Sequence, residues 1–187
     1  MSVEVQDKNP AAFHELTVAL DSLAGHVAKA GIFDTALYNN DAATPVAQTA
    51  MWQEFGVPRR GIPPRPFMRP AIKENEHIWM ELLSKLSDKV IEGKMTAHDA
   101  MALVGERAQG DIVKSISKVM SPPLSLITLM ARKIREGGGK VTGKTIGMLA
   151  RKIKTGNYTP DEISSNTKPL VDTGQLVQSI SSMVDKA

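Results

Sequence analysis

The chain has 187 residues, 42% of them apolar, no cysteine, and a formal net charge of +3. That length suits one domain able to bury roughly 70% of the surface its unfolded chain exposes, and the missing cysteines exclude disulfides, thiolate metal centres and a cysteine nucleophile. No run reaches the roughly 18 apolar residues of a membrane span and no basic–apolar–small leader pattern opens the chain, so a soluble protein made in the cytoplasm is expected. The charge is unevenly spread. Between 121 and 159, Arg132, Lys133, Arg135, Lys140, Lys144, Arg151, Lys152 and Lys154 stand against one acid, Glu136, a net +7 that leaves −4 for the remainder. Any affinity for a polyanion therefore belongs to that segment.

Asn9 as cap and Pro10 at the first helical position open an N-terminal helix, with Phe13, Leu16, Leu20 and Leu23 at helical spacing and Gly25 ending it. The stretch HVAKAGIF reads as a strand, with Val27 and Ile32 its clearest apolar members, and 39–45 is turn-like. The stretch 46–55 is ambiguous in period and is read as a strand pairing with the first. Pro63, Pro64, Pro66 and Pro70 then make GIPPRPFMRPA a stiff extended connector, since such a run fits neither a helix interior nor a central strand. Pro70 suits the first turn of a long helix over about 71–91, with a stripe of Ile72, Trp79, Leu82, Leu83 and Leu86 and Gly93 beyond its end. Thr96, with Asp99 three residues on, caps a second helix to about 119.

After Pro122 and Pro123 comes a short repeat. MARKIREG and LARKIKTG recur at an offset of 19 residues, each a basic amphipathic half-helix stopped by glycine. KPLVDTGQL leads into VQSISSMV, a closing strand carrying Val177, Ile180 and Met183. The expected fold class is α+β: a small, mostly antiparallel sheet with helices packed on one face, plus a basic helical insertion.

The chemistry-bearing patterns are thin. Gly138, Gly143, Lys144 and Thr145 satisfy the spacing of a phosphate-cradling loop. That loop needs a buried strand in front of it, and here the preceding residues are ARKIREGG, so it reads as a flexible connection between two basic helices. His14, His26, His77 and His98 have no metal-ligand spacing, and no serine–histidine–acid arrangement stands out. No catalytic residue, metal or cofactor is expected, and the reading is non-enzymatic. The basic segment is the alternative: a DNA-binding module making salt-dependent phosphate contacts through Arg132, Lys133, Arg135, Arg151, Lys152 and Lys154. With Tyr158 as its one aromatic residue it has almost no platform for base stacking.

Three stretches together resemble the tail-completion, or virion morphogenesis, proteins of tailed bacteriophages. The first, AGIFDTALYNND…TPVAQTAMWQEFG, looks like a hairpin ending in a corner at Glu54, Phe55 and Gly56. The second is GIPPRPFMRPAI, and the third pairs SPPLSLITLMARK with TKPLVDTGQLVQSI. The likeness spans about 31–180 and departs from the family pattern between 130 and 166. It implies one tail-completion-like domain over 1–120 and 160–187, with 121–159 inserted. It also implies a structural virion protein forming a ring at the phage neck or head-proximal tail end, terminating the tail or joining it to the head.

The partners so implied are copies of the chain itself, a hexamer being favoured over a dodecamer, and neighbouring neck, tube or sheath proteins. Genomic DNA would pass through the lumen without sequence-specific binding, and no membrane is involved. Arg65, Phe67 and Arg69, held on the proline-stiffened arm, are candidates for the contact between copies. So are Asp172, Thr173 and Gly174, at the turn before the last strand.

Overall fold

A computed structural model of the chain describes residues 10–33, 37–38, 41–171 and 174–187. They divide into two compact units, the first formed by Met1–Phe33, Arg69–Val113 and Ser179–Ala187, the second by Asp34–Met68 and Lys114–Gln178. The basic segment 121–159 belongs to the second, with 34–68 and 160–178. The expected α+β class holds: the chain is mostly helical, with small antiparallel sheets.

The first unit begins with α1 (Pro10–Ala24) and β1 (His26–Ile32). Pro10 occupies the first helical position; Asn9, expected as the cap, lies outside the described residues. β4 (Ile180–Lys186) pairs with β1 antiparallel, His26 opposite Lys186 through to Ile32 opposite Ile180. The strand expected to pair with β1 was 46–55, so the partner is corrected. One face of the sheet packs on α4 (Ala97–Lys118) at Gly105, where an added Cβ would stand 3.2 Å from the Ser182 Cβ. Gln109 fastens this contact, donating through Nε2 to the Ile180 carbonyl at 3.0 Å and accepting from the Ser182 hydroxyl at 3.0 Å.

Below the sheet lies the core of this unit. Leu23 of α1 joins Leu86 and Val90 of α3 (Met68–Ile91) and Ala97 and Ala100 of α4. Of the expected stripe on α3, Leu86 is buried and Trp79, Leu82 and Leu83 are half-buried, with Ala71 and Val90 also buried, while Ile72 is exposed. Thr96 and Asp99 cap α4 reciprocally, the Asp99 amide donating to Thr96 Oγ1 at 3.1 Å and that hydroxyl to Asp99 Oδ2 at 2.7 Å. Asp111 is buried and accepts from Trp79 Nε1 at 3.0 Å and Arg107 Nε at 2.8 Å.

Gly105 supplies a test of this packing. Leucine is the better helix former by about 0.8 kcal/mol, so propensity alone predicts that Gly105→Leu stabilises. The crowding against Ser182 reverses the sign, and a net loss of about 2 kcal/mol is expected, read from the urea midpoint. A gain in stability would show that α4 and the sheet are not in close contact.

In the second unit β2 (Leu37–Tyr38) and β3 (Asp41–Pro45) form a short antiparallel pair, so 41–45 is strand where turn was expected. Asn39 and Asn40 lie outside the described residues. The ambiguous stretch 46–55, read as strand, is helix α2 (Val46–Phe55). Its buried positions are Val46, Ala50 and Glu54, four apart, which is the helical period and turns one side inward where a strand would bury alternate residues. Gly56 ends it at φ 75°, a position where a Cβ would meet the Pro64 nitrogen at 2.8 Å. Only glycine fits that corner.

Helices α5 (Leu126–Glu136) and α6 (Gly143–Thr155) are the two copies of the basic repeat, and they pack on one another. Met130, Ala131 and Leu149 are buried between them, flanked by Ile134, Val141, Ile153 and Ile163. Each helix has its own cap: Ser125 Oγ accepts from the Thr128 amide at 3.3 Å, and Thr142 and Thr145 form a capping box. A short helix α7 (Gln175–Gln178) follows before the closing strand β4.

Candidate functional site

The proline-rich arm is an internal brace. Arg65, expected at a contact between copies, is 5% exposed. Its Nε donates to the Pro122 carbonyl at 2.8 Å, its NH2 to the Pro123 carbonyl at 3.0 Å and its NH1 to Gln53 Oε1 at 3.3 Å. Burial pushes its pKa below the ordinary arginine value. Phe67 is 1% exposed, a core side chain of its own unit. Both are therefore corrected: the prolines stiffen the arm against its own chain, and these two side chains are consumed there. Arg69 is exposed.

Glu54 explains why the arm ends where it does. This carboxylate is 5% exposed and accepts from the Phe67 amide at 2.7 Å and the Met68 amide at 2.9 Å, where α3 begins. Ser115 Oγ closes the arrangement by donating to the Phe67 carbonyl at 2.7 Å. The sequence marked Glu54 only as part of the Glu54–Phe55–Gly56 corner, with no role for its carboxylate, and did not single out Ser115. Their partners lie 13 and 48 residues away, beyond any local pattern.

The repeat carries the second correction. Arg132, expected on a partner- or DNA-facing surface, is 3% exposed. Its NH1 reaches the Asn166 and Lys168 carbonyls at 2.9 and 2.8 Å, and its NH2 the Pro169 carbonyl at 3.1 Å. Arg65 and Arg132 thus do the same work, each holding a proline turn by its backbone oxygens. They tie together the separated stretches that carry the phage resemblance: GIPPRPF to SPPL, and ARK to TKPL.

The equivalent of Arg132 in the second copy is Arg151, and it is exposed. The difference lies in what covers each helix. On α5 the segment 163–170 lies against the helix and takes up Arg132, with the Ser164 amide donating to the Leu129 carbonyl at 3.2 Å and Ser164 Oγ bonded to Glu136. Lys152 Nζ is held by Glu162 at 2.5 Å, while Lys133 lies 4.0 Å from Glu136 and is exposed, as is Arg135. Lys154 is exposed too. The spacing Gly138…Gly143–Lys144–Thr145 follows helix α5 instead of a strand and enters α6, so the strand that a phosphate-cradling loop requires is not in front of it.

The first unit leaves apolar groups and strand edges exposed. The sheet has two strands, and among the described residues neither β1 nor β4 pairs with a third. The face away from α4 carries Val27 and Met183, both exposed, and the Lys29–Asp185 ion pair at 2.6 Å. On α1 only Leu23 of the expected stripe is buried; Phe13 is 62% exposed, and Leu16 and Leu20 are exposed with it. A groove of about 750 Å³ beside α1 is lined by Val18, Ala19, Val90 and Met95, among others. Gly174 has φ 73° just before α7, and Asp172 and Thr173 lie outside the described residues.

Among the described residues no three His, Asp or Glu side chains are grouped to hold a metal ion, and no helix is long and apolar enough to cross a membrane. Comparison with family models, with curated proteins and with solved structures gives no match.

Proposed function

We propose that the chain is a structural virion protein that assembles with copies of itself into a closed ring at the neck or head-proximal tail end of a tailed phage. There it terminates the tail or joins it to the head, with the genome passing through the lumen and no reaction involved. The observation that carries this reading is the two-stranded sheet, both of whose seven-residue strands have no further strand partner among the described residues. A two-stranded sheet is marginal by itself, and an unpaired edge presents a row of backbone donors and acceptors that a neighbouring chain can satisfy.

Addition of the β1 edge of one copy to the β4 edge of the next is a head-to-tail contact. Such contacts generate rings when the rotation closes. The exposed apolar side of α1 supports a partner at the same unit. The resemblance carried by the three braced stretches supports the phage setting.

Mass photometry of the purified chain over a concentration series, with negative-stain microscopy of the same samples, tests the reading. A closed ring, six copies being favoured, is the expected result. A monomer at every concentration, or an open fibre, overturns it.

A further inference from the structure

We infer that the outward face of α6 is a contact ridge for the phosphate backbone of double-stranded DNA, carried by Lys144, Arg151 and Lys154. The inference does not depend on ring formation. These residues are separated by seven and three positions, which puts them on one side of a helix, away from Leu149 and Ile153, which pack toward α5. All three are exposed and none has an ion-pair partner among the described residues. α6 contains no acid at all. Gly147 lies between the cations with nothing within 4 Å of where its Cβ would be, and Ala150 is small, so the three long side chains rise from a low, open surface.

The ridge matches its ligand in length. Ten residues of helix span about 15 Å, and duplex DNA offers one negative charge per roughly 1.7 Å of axis. Three cations spread over that distance can each reach a different phosphate.

The surrounding charge agrees. The second unit has fourteen Lys and Arg against seven Asp and Glu, while the first has nine against thirteen. Of the second unit's acids nearest in sequence to the ridge, Asp161 is exposed, Glu162 is paired with Lys152 and Glu136 is bonded to Ser164. An acidic protein face, including the first unit of another copy, is the competing occupant. The composition of the ridge speaks against it. Protein interfaces are depleted in lysine and anchored by buried aromatic and aliphatic groups. α6 has no aromatic residue, and Met148 is its only strongly exposed large apolar side chain. The lack of aromatics also disfavours single strands, which bind by base stacking. The contact is therefore with backbone and carries no sequence information.

Fluorescence anisotropy with a random-sequence 25-base-pair duplex, measured from 50 to 200 mM salt, tests the inference. Three phosphate contacts per chain predict a log–log salt slope of about −2.7, a loss of about 40-fold over that range. The variant Lys144→Gln/Arg151→Gln/Lys154→Gln keeps good helix formers and should retain its circular dichroism spectrum and its oligomeric mass. It should bind the duplex at least about tenfold more weakly at 50 mM salt, with a slope close to zero. No binding by the natural chain at 50 mM salt, or equal binding by a folded variant, overturns the inference. Displacement of the duplex by polyglutamate at equal charge concentration overturns it in favour of an acidic protein partner.

Discussion

Phe67→Ala is expected to destabilise the second unit by about 4 kcal/mol, within the range for emptying a fully enclosed aromatic site. The site is poorly placed to collapse. Its amide is held by Glu54 and its carbonyl by Ser115, so the backbone around the cavity is fixed at both ends. Each unit contains one tryptophan, Trp79 in the first and Trp52 in the second, where the Arg60 guanidinium lies over the Trp52 ring at 4.9 Å. Urea unfolding followed by Trp52 fluorescence in a Trp79→Phe background reports on the unit concerned. A loss below about 1 kcal/mol would contradict burial, since exposed sites seldom exceed half that figure. A contact role between copies predicts another pattern: little change in the isolated chain and loss of the assembled species.

Glu54→Ala should cost about 3 kcal/mol by the same measurement, because it strands two backbone amides at the end of the arm. Glu54→Gln keeps one acceptor oxygen and the shape of the side chain but gives up the charge-assisted character of the bonds, so about half that loss is expected. The ordering Ala worse than Gln is the discriminating result. Equal losses would mean that the carboxylate acts through its charge alone.

Elements whose own residues declare them were legible in the sequence. β1 was, and so was α4, where Thr96 and Asp99 provide a local cap; β4 was legible in part, since Val177, expected in the strand, lies in helix α7. Pro70 was rightly placed in the first turn of the long helix, since it lacks the donor that position leaves unused. The stretch 46–55 failed for a physical reason. It mixes β-branched, aromatic and helix-forming residues over only ten positions, and its inward polar residue, Glu54, breaks the apolar pattern that would have shown the period.

The candidate site divides along a similar line. Lys144, Arg151 and Lys154 follow from helical spacing once α6 is accepted, although Lys144 first drew attention through a loop motif that the fold does not build. Burial of Arg65 and Arg132 could not be foreseen. All but one of their acceptors are main-chain oxygens 34 to 58 residues distant, and an oxygen of the backbone has no signature in sequence. The repeat makes the point within one chain, for Arg132 and Arg151 share the motif ARKI and differ only in what later folds across them.

The pairing of β1 with β4 has a consequence for timing. Roughly 150 residues separate Ile32 from its partner Ile180, and a ribosome adding about 5–20 residues per second takes on the order of ten to thirty seconds to traverse them. Throughout that interval the nascent polypeptide has β1 but no mate for it, and so cannot present a finished sheet to anything. In the proposed ring, addition of one copy to the next through this sheet would therefore wait until translation has passed the closing strand.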